Sequence, residues 1–447
     1  MRSMPRLFLL AISGLSLLAQ SPLSLQDAVQ TALGQNPSIQ SAVAARRAAE
    51  SRIEGARAGR LPRIDYSESW TRSDNPVFVF SSLLTEHQFG EQNFLPGPLN
   101  RPDFLNNFES LITADQTLFD AGRTRRALRS AQLNGSMAGE EDRMARMQTI
   151  AGVVKTYYDA ALSSAQLEAA DQAARSAEAD LKHAEDVHAA GFSTDADVLS
   201  IRVHLAGVRE EQIRRSANVD VARAALNDVL GQPLEASYQL TTPLEPARLS
   251  GAQLADYEKS ALAERPEARQ AKLSTSLAAT QAADARSSRL PSVVLHGAFE
   301  ADRQDFYDKG GANWLVSVGL RWNLFNGFGD KARIEETKSL VDRSRAQQQT
   351  ADSAIRLEVR RAWADLRAAG ERIEVARAAV AEAEESLRIT QNRYQAGMTN
   401  VTDLLRTETA LLEARTRYLE AVHDQRVAAT MLELAAGKLT ADSEVLN

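Results

Sequence analysis

The two polar residues most alike in their surroundings are aspartates. Asp197 lies six residues after Gly191 in Val187 to Leu199, which reads Val-His-Ala-Ala-Gly-Phe-Ser-Thr-Asp-Ala-Asp-Val-Leu. Asp403 lies six after Gly397 in Arg393 to Leu405, Arg-Tyr-Gln-Ala-Gly-Met-Thr-Asn-Val-Thr-Asp-Leu-Leu. Each carboxylate stands just ahead of a helical run, so the simplest chemistry it offers is helix N-capping, worth about 0.5 to 2 kcal/mol. Reactive constellations are missing. The chain has 447 residues and no Cys, which excludes disulfides, thiol catalysis and Cys-ligated metals. Of the six His (His87, His183, His188, His204, His296 and His423), His183 and His188 are five apart and do not share a helix face as metal ligands would. There is no Gly-x-Ser-x-Gly and no Walker-type loop, and Gly327-Phe-Gly329 lacks the rest of a dinucleotide fingerprint. Glu140-Glu141-Asp142, Arg214-Arg215, Glu384-Glu385 and the arginines 123, 125, 126 and 129 read as solvated helix faces. The expectation is of no enzyme, no cofactor and no metal, and a net charge of −7 offers nucleic acid no attraction.

The elements that must position these aspartates are helical. An Ala-rich pattern runs into each glycine and a second helical pattern runs out past each Asp, so the stretches read as hairpin tips at about 188–197 and 394–403. Nothing breaks the helical pattern from Asp120 to Val187, roughly 100 Å at about 1.5 Å per residue, and Lys331 to Tyr394 repeats it. Small or apolar residues recur at 4-3-4-3-4 spacing through Ala376, Val380, Ala383, Leu387, Thr390 and Tyr394, and 206 positions earlier through Ala170, Ala174, Ala177, Leu181, Ala184 and His188. This is a coiled-coil seam whose alanines permit close approach. Leu118-Phe119, Gly191 and Asp197 all recur 206 residues on, while Pro37 and Leu61-Pro62 recur 229 residues on, at Pro266 and Leu290-Pro291. The chain therefore reads as a tandem duplication: repeats over 22–231 and 251–447, a linker at 232–250, and 23 extra residues between Pro62 and Leu118.

Each repeat also carries two alternating strands, at about 63–72 and 108–119, then 291–303 and 313–325. Ile64, Tyr66 and Trp70 share one side of the first. In the last, Trp314, Val316, Val318, Leu320, Trp322 and Leu324 share one side, against Ser317, Gly319, Arg321 and Asn323. Trp314 and Trp322 would be about 26 Å apart along a strand, or about 20 Å of membrane height after tilt, a separation that fits two aromatic girdles. With Trp70 they form the candidate membrane girdle. The same alternation also fits an amphipathic strand on a soluble core. Ser73 to Asn107, with Pro76, Pro96, Gly97, Pro98 and Pro102, reads as irregular.

Residues 1–21 read as a secretory signal peptide: Arg2 and Arg6 precede an apolar run, Leu7 to Leu18, with Ala19 and Ser21 spaced for cleavage. No later stretch has 18 uninterrupted apolar residues. Four strands per chain fall short of the roughly eight a small membrane barrel needs. Open strand edges in hydrocarbon cost several kcal/mol per unpaired group, so membrane-facing strands would demand an oligomer.

Taken together, the signal peptide, the duplicated helix-strand-strand-helix-turn-helix order, the strand exits Leu118 to Gly122 and Leu324 to Gly327, and the Gly-x5-Asp tips resemble the TolC family of outer-membrane efflux proteins. The resemblance covers essentially the whole chain after the signal peptide. It implies a mainly α fold with membrane β: a homotrimer closing a 12-strand outer-membrane β-barrel that continues into a periplasmic α-helical coiled-coil barrel. It further implies a passive exit duct held in outer-membrane lipid. The tips Gly191, Phe192, Gly397 and Met398 would dock a periplasmic adaptor, or membrane fusion protein, that belongs to an inner-membrane transporter. By the same resemblance Asp197, Asp403 and Tyr394 match residues near the closed periplasmic entrance. Thr399 and Arg406 depart from the pattern, standing where some members carry a basic partner and a second acid, so Asp403 opposite Arg406 suggests a differently wired constriction. Two rivals stay open on the sequence: a periplasmic adaptor, which predicts one hairpin flanked by compact β-domains, and a structural coiled coil, which leaves the aromatic alternation unexplained. The cargo, whether drug, metal ion or polypeptide, is not encoded in any motif.

Overall fold

The computed structural model describes residues 21–247 and 253–446, so the signal peptide (apart from Ser21), part of the linker and Asn447 lie outside the described residues. In chain order the elements are β1 (Ser21–Leu23), α1 (Leu25–Gln35), α2 (Pro37–Ala58), β2 (Arg63–Ser73), α3 (Pro76–Thr85), α4 (Pro96–Asn100), β3 (Leu105–Phe119), α5 (Arg123–Ala189), α6 (Asp195–Leu230), β4 (Tyr238–Leu240), α7 (Leu254–Glu264), α8 (Pro266–Ser287), β5 (Ser292–Arg303), β6 (Gly311–Arg321), α9 (Gly329–Gln395) and α10 (Val401–Ala435). The α1-α2 and α7-α8 breaks have one cause. Asn36 and Arg265 precede prolines and take extended ψ values of 126° and 131°, because a proline ring crowds helical backbone in the residue before it. The long helices α5 and α9 have 67 residues each, and α6 and α10 have 36 and 35.

Two compact units divide the chain. One is built on the antiparallel sheet β2-β3-β5-β6. Its register sets Tyr66 beside Ile112, Ile112 beside Phe299 and Phe299 beside Trp314, and likewise Ile64, Ala114, Gly297 and Val316 in the next row. Period-2 alternation then gathers Val293, Leu295, Val318 and Leu320 on that same apolar face. Asp65, Ser67, Thr113, Asp115, His296, Ser317 and Arg321 fall on the other. Strands β2 and β6 end the order, and among the described residues each has one edge with no strand beside it.

The other unit takes in 21–42, 142–268 and 352–446 among the described residues. One core gathers Leu25 and Val29 of α1, Val154, Tyr157 and Tyr158 of α5, Leu226 and Leu230 of α6, and Leu439. The Tyr157 hydroxyl donates to Leu23 O at 2.9 Å and accepts from Thr242 N at 2.9 Å, which ties down the parallel β1-β4 pair. A second core packs Tyr257 and Ala261 of α7 against Ile355 and Val359 of α9 and Leu432 of α10.

Three expectations need correction. Pro76–Thr85 is helical rather than irregular: Asn75 Oδ1 accepts from Val77 N and Phe78 N, and Pro76 sits at the first helical position, where its missing N–H costs nothing. Strand β3 begins at Leu105, three residues earlier than the pattern placed it. Strand β6 ends at Arg321 instead of Phe325, because its partner β5 starts at Ser292 and the next residue back, Pro291, has no N–H to give. Trp322 therefore lies just past the strand, its Nε1 donating to Arg289 O at 2.9 Å.

Candidate gate at the hairpin tips

Both long helices stop the same way. Phe192 N donates to Val187 O at 3.0 Å and Met398 N to Arg393 O at 2.8 Å, bonds that close the last turn once Gly191 (φ 84°) and Gly397 (φ 69°) enter the left-handed region. The chain then restarts with caps that differ from the expected ones. Thr194 and Asn400 are the N-caps, and Asp197 and Asp403 sit three residues inside the helices. Asp197 completes a capping box: Thr194 Oγ1 accepts from Asp197 N at 3.2 Å, while the Asp197 carboxylate accepts from Thr194 N at 3.1 Å and Thr194 Oγ1 at 2.7 Å. Those bonds, the Thr194 hydroxyl first, hold the Asp197 carboxyl below the usual range. Asp403 N donates to Asn400 Oδ1 at 2.9 Å, and the Asp403 carboxylate takes the Thr399 hydroxyl at 2.8 Å. Asp403 and Arg406 form no ion pair with each other among the described residues. Both residues instead line a groove with Arg393, Thr390 and Thr407, and neither arginine has an ion-pair partner among the described residues.

Beneath the tips a small apolar cluster joins all four long helices: Ala184, Val198, Ile201 and Val401, with Leu181, Tyr394 and Leu405 against it. Burial, then the nearby Asp197 and Asp180, push the Tyr394 hydroxyl up. The tyrosine ring meets His183 edge-on at 6.2 Å. Phe192 is 86% exposed and Met398 65%, so each tip presents one large apolar side chain to solvent. The seam differs between the copies: Ala170, Ala174, Ala177 and Ala184 are buried, whereas Ala376, Val380, Ala383 and Leu387 are only half covered.

Sequence reasoning missed the next polar group along the helices, where Asp180, His204 and Glu408 meet. No spacing rule flags it, since its members come from α5, α6 and α10. Among the described residues no group of three or more His, Cys, Asp or Glu side chains is disposed to hold a metal ion, and no helix is long and apolar enough to cross a membrane. On the sheet, Trp70 and Trp314 stand on the apolar face, 59% and 79% exposed.

An amphipathic sheet with open edges and paired long helical hairpins ending in turned tips is the architecture of an outer-membrane channel protomer. The family described as "Outer membrane efflux protein" matches residues 28–232 and 258–438, and the chain belongs to that family. Protein CyaE of Bordetella pertussis is 29% identical over 341 residues, covering 75% of this chain and 72% of its own. Outer membrane efflux protein BepC of Brucella suis is 25% identical over 386 residues, covering 83% and 80%. Among solved structures, CusC superposes with a TM-score of 0.79 at 18% identity (93% and 92% covered), and VceC of Vibrio cholerae with 0.78 at 20% (92% and 96%). The chain is an outer-membrane efflux channel with a periplasmic extension.

Proposed function

We propose that three copies of this chain pair β2 of one with β6 of the next and close a 12-strand barrel, Trp70 and Trp314 facing lipid, continued by a periplasmic tube of twelve helical strands. The observation that carries this reading is the sheet itself: four strands, two open edges and one apolar face, a combination that hydrocarbon tolerates only when closed. The half-covered second seam adds a helix surface waiting for a neighbour. The similar lengths of the two element sets, 67 and 36 residues against 67 and 35 for the long hairpins, support the tandem duplication. Cargo passes without chemistry, as suits a family and fold of passive channels. Such channels act with periplasmic adaptors and inner-membrane transporters. Here Phe192 and Met398, beside Gly191 and Gly397, are the docking contacts, and adaptor binding spreads the tips.

Mass measurement of the detergent-extracted protein tests the assembly. A trimer whose gel mobility shifts on heating is expected, and a monomer in the soluble periplasmic fraction would overturn the reading. A finer assignment places Asp403 in the entrance, beside Thr399, Arg406 and Tyr394, with Asp197 holding the first tip. Asp403→Ala protein in planar bilayers is expected to lose cation preference, and unchanged conductance and selectivity would remove Asp403 from the pore.

A further inference from the structure

The group formed by Asp180 of α5, His204 of α6 and Glu408 of α10 is half-buried and short of donors. The Asp180 and Glu408 carboxyls face each other closely enough to share a proton. Glu408 also accepts from Ser176 Oγ at 3.1 Å and stands 3.3 Å from His204 Nε2. The Glu408 side chain is 8% exposed, and Asp180 Oδ2 and Glu408 Oε2 are both buried, the first with no hydrogen-bond partner and the second with only the long approach of His204 Nε2. Two ionised carboxylates in that position would repel across a poorly solvated gap, whereas a single proton between them supplies the missing bond. We propose that Asp180 and Glu408 form a proton-binding latch that ties the first helical hairpin to α10 directly behind the tip cluster, and that release of the proton loosens the hairpins there.

The surroundings fit this role. Burial, the hydrogen bond to Glu408 and its charge push Asp180 up to about 8. Burial acts to raise Glu408 as well, but bonds with His204, Asp180 and Ser176 outweigh it and leave that carboxyl low. The other charged groups facing the pair are committed. From α6, Glu211 is held by Arg215 and Arg214. From α10, Arg415 reaches Gln172 of α5 and Glu384 of α9. From α9, Tyr394 faces Asp180. A cavity of about 490 Å³, lined by Glu408 and His204 among apolar side chains such as Val203, Leu387 and Leu412, lies on the Glu408 side of the pair and offers water a way in. When the hairpins part, water returns Asp180 to the ordinary carboxylate range. Between that range and about 8 the closed state holds one more proton than the open one. Opening therefore rises with pH by up to about tenfold per unit and levels off above the upper limit.

This inference rests on the tips being the moving gate, and the experiment separates the two. Amide hydrogen exchange over residues 172–208 and 404–412 of the full-length protein in detergent, corrected for intrinsic rates, is followed from about pH 6.5 to 8.5 alongside bilayer conductance. The local opening constant is expected to grow about tenfold or more in the unmodified protein and less than about twofold in Asp180→Asn, which keeps a donor to Glu408 but cannot titrate. Equal slopes in the two proteins, or a flat unmodified protein, would overturn the latch. Should Asp180→Asn not fold, Glu408→Gln serves the same comparison, and a flat slope in the unmodified protein alone still decides against the proposal. An exchange slope without a conductance change supports the latch while removing the tips as the gate.

Discussion

Protein carrying Val316→Lys together with Val318→Lys is expected to disappear from the outer membrane, while Ser317→Lys accumulates normally. Val316 and Val318 lie mid-strand in β6 on the apolar face, 61% and 63% exposed within one chain, with Ser317 between them on the polar face. A lysine on the lipid side of a barrel costs about 2 to 4 kcal/mol near the midplane, so the pair costs about 4 to 8 kcal/mol per chain. The lumen side bears no such penalty. Quantifying heat-modifiable protein in outer-membrane fractions reads the result directly. Equal loss of both variants would mean that β6 is merely intolerant of lysine, and equal accumulation would mean that its apolar face does not meet lipid.

The second large effect concerns Gly231 and Gly437, which close α6 and α10. Both are left-handed, at φ 71° and 74°. A Cβ on Gly231 would stand 2.8 Å from Gln35 O, and one on Gly437 2.7 Å from Arg265 N. Those neighbours are backbone at the proline breaks of α1-α2 and α7-α8, and Arg143 clamps the second site by donating to Glu264 O at 2.6 Å and Gly437 O at 3.0 Å. Alanine at either glycine therefore meets about 1 to 3 kcal/mol of backbone strain and a similar overpacking cost. Gly191→Ala is the control, since it shares the positive φ but meets no atom within 4 Å. The denaturant midpoint should fall in the order Gly437→Ala and Gly231→Ala well below Gly191→Ala. Coincident midpoints would mean that the close approach contributes nothing.

Much of this fold was legible because its periodicities are long and simple. Alternation in 63–72 and 313–325 named the apolar face, and the register later set Tyr66, Ile112, Phe299 and Trp314 in one row. Helices of 67 residues with a glycine stop are hard to misread. What escaped depends on partners or single caps. The helix at Pro76–Thr85 hid among prolines, although Asn75-Pro76 spells its start. Thr194-x-x-Asp197 spells a capping box, yet the conspicuous aspartate drew the cap assignment one turn too far along the chain. The end of β6 is fixed by Pro291, just ahead of another strand, and the Asp180, His204 and Glu408 group by three helices at once. No window on one segment contains either.

The core that gathers Leu25, Val154, Leu226 and Leu439 draws on residues from nearly the whole length of the chain. A polypeptide delivered across the inner membrane from its amino end arrives with Leu25 and Val29 first and Leu439 more than four hundred residues later. Until that final stretch emerges, this core lacks one of its walls, and loop closure over such separations is slow and exposed to aggregation. That core is thereby obliged to remain unlocked and in need of protection through most of the transit, and it closes only when delivery is nearly complete.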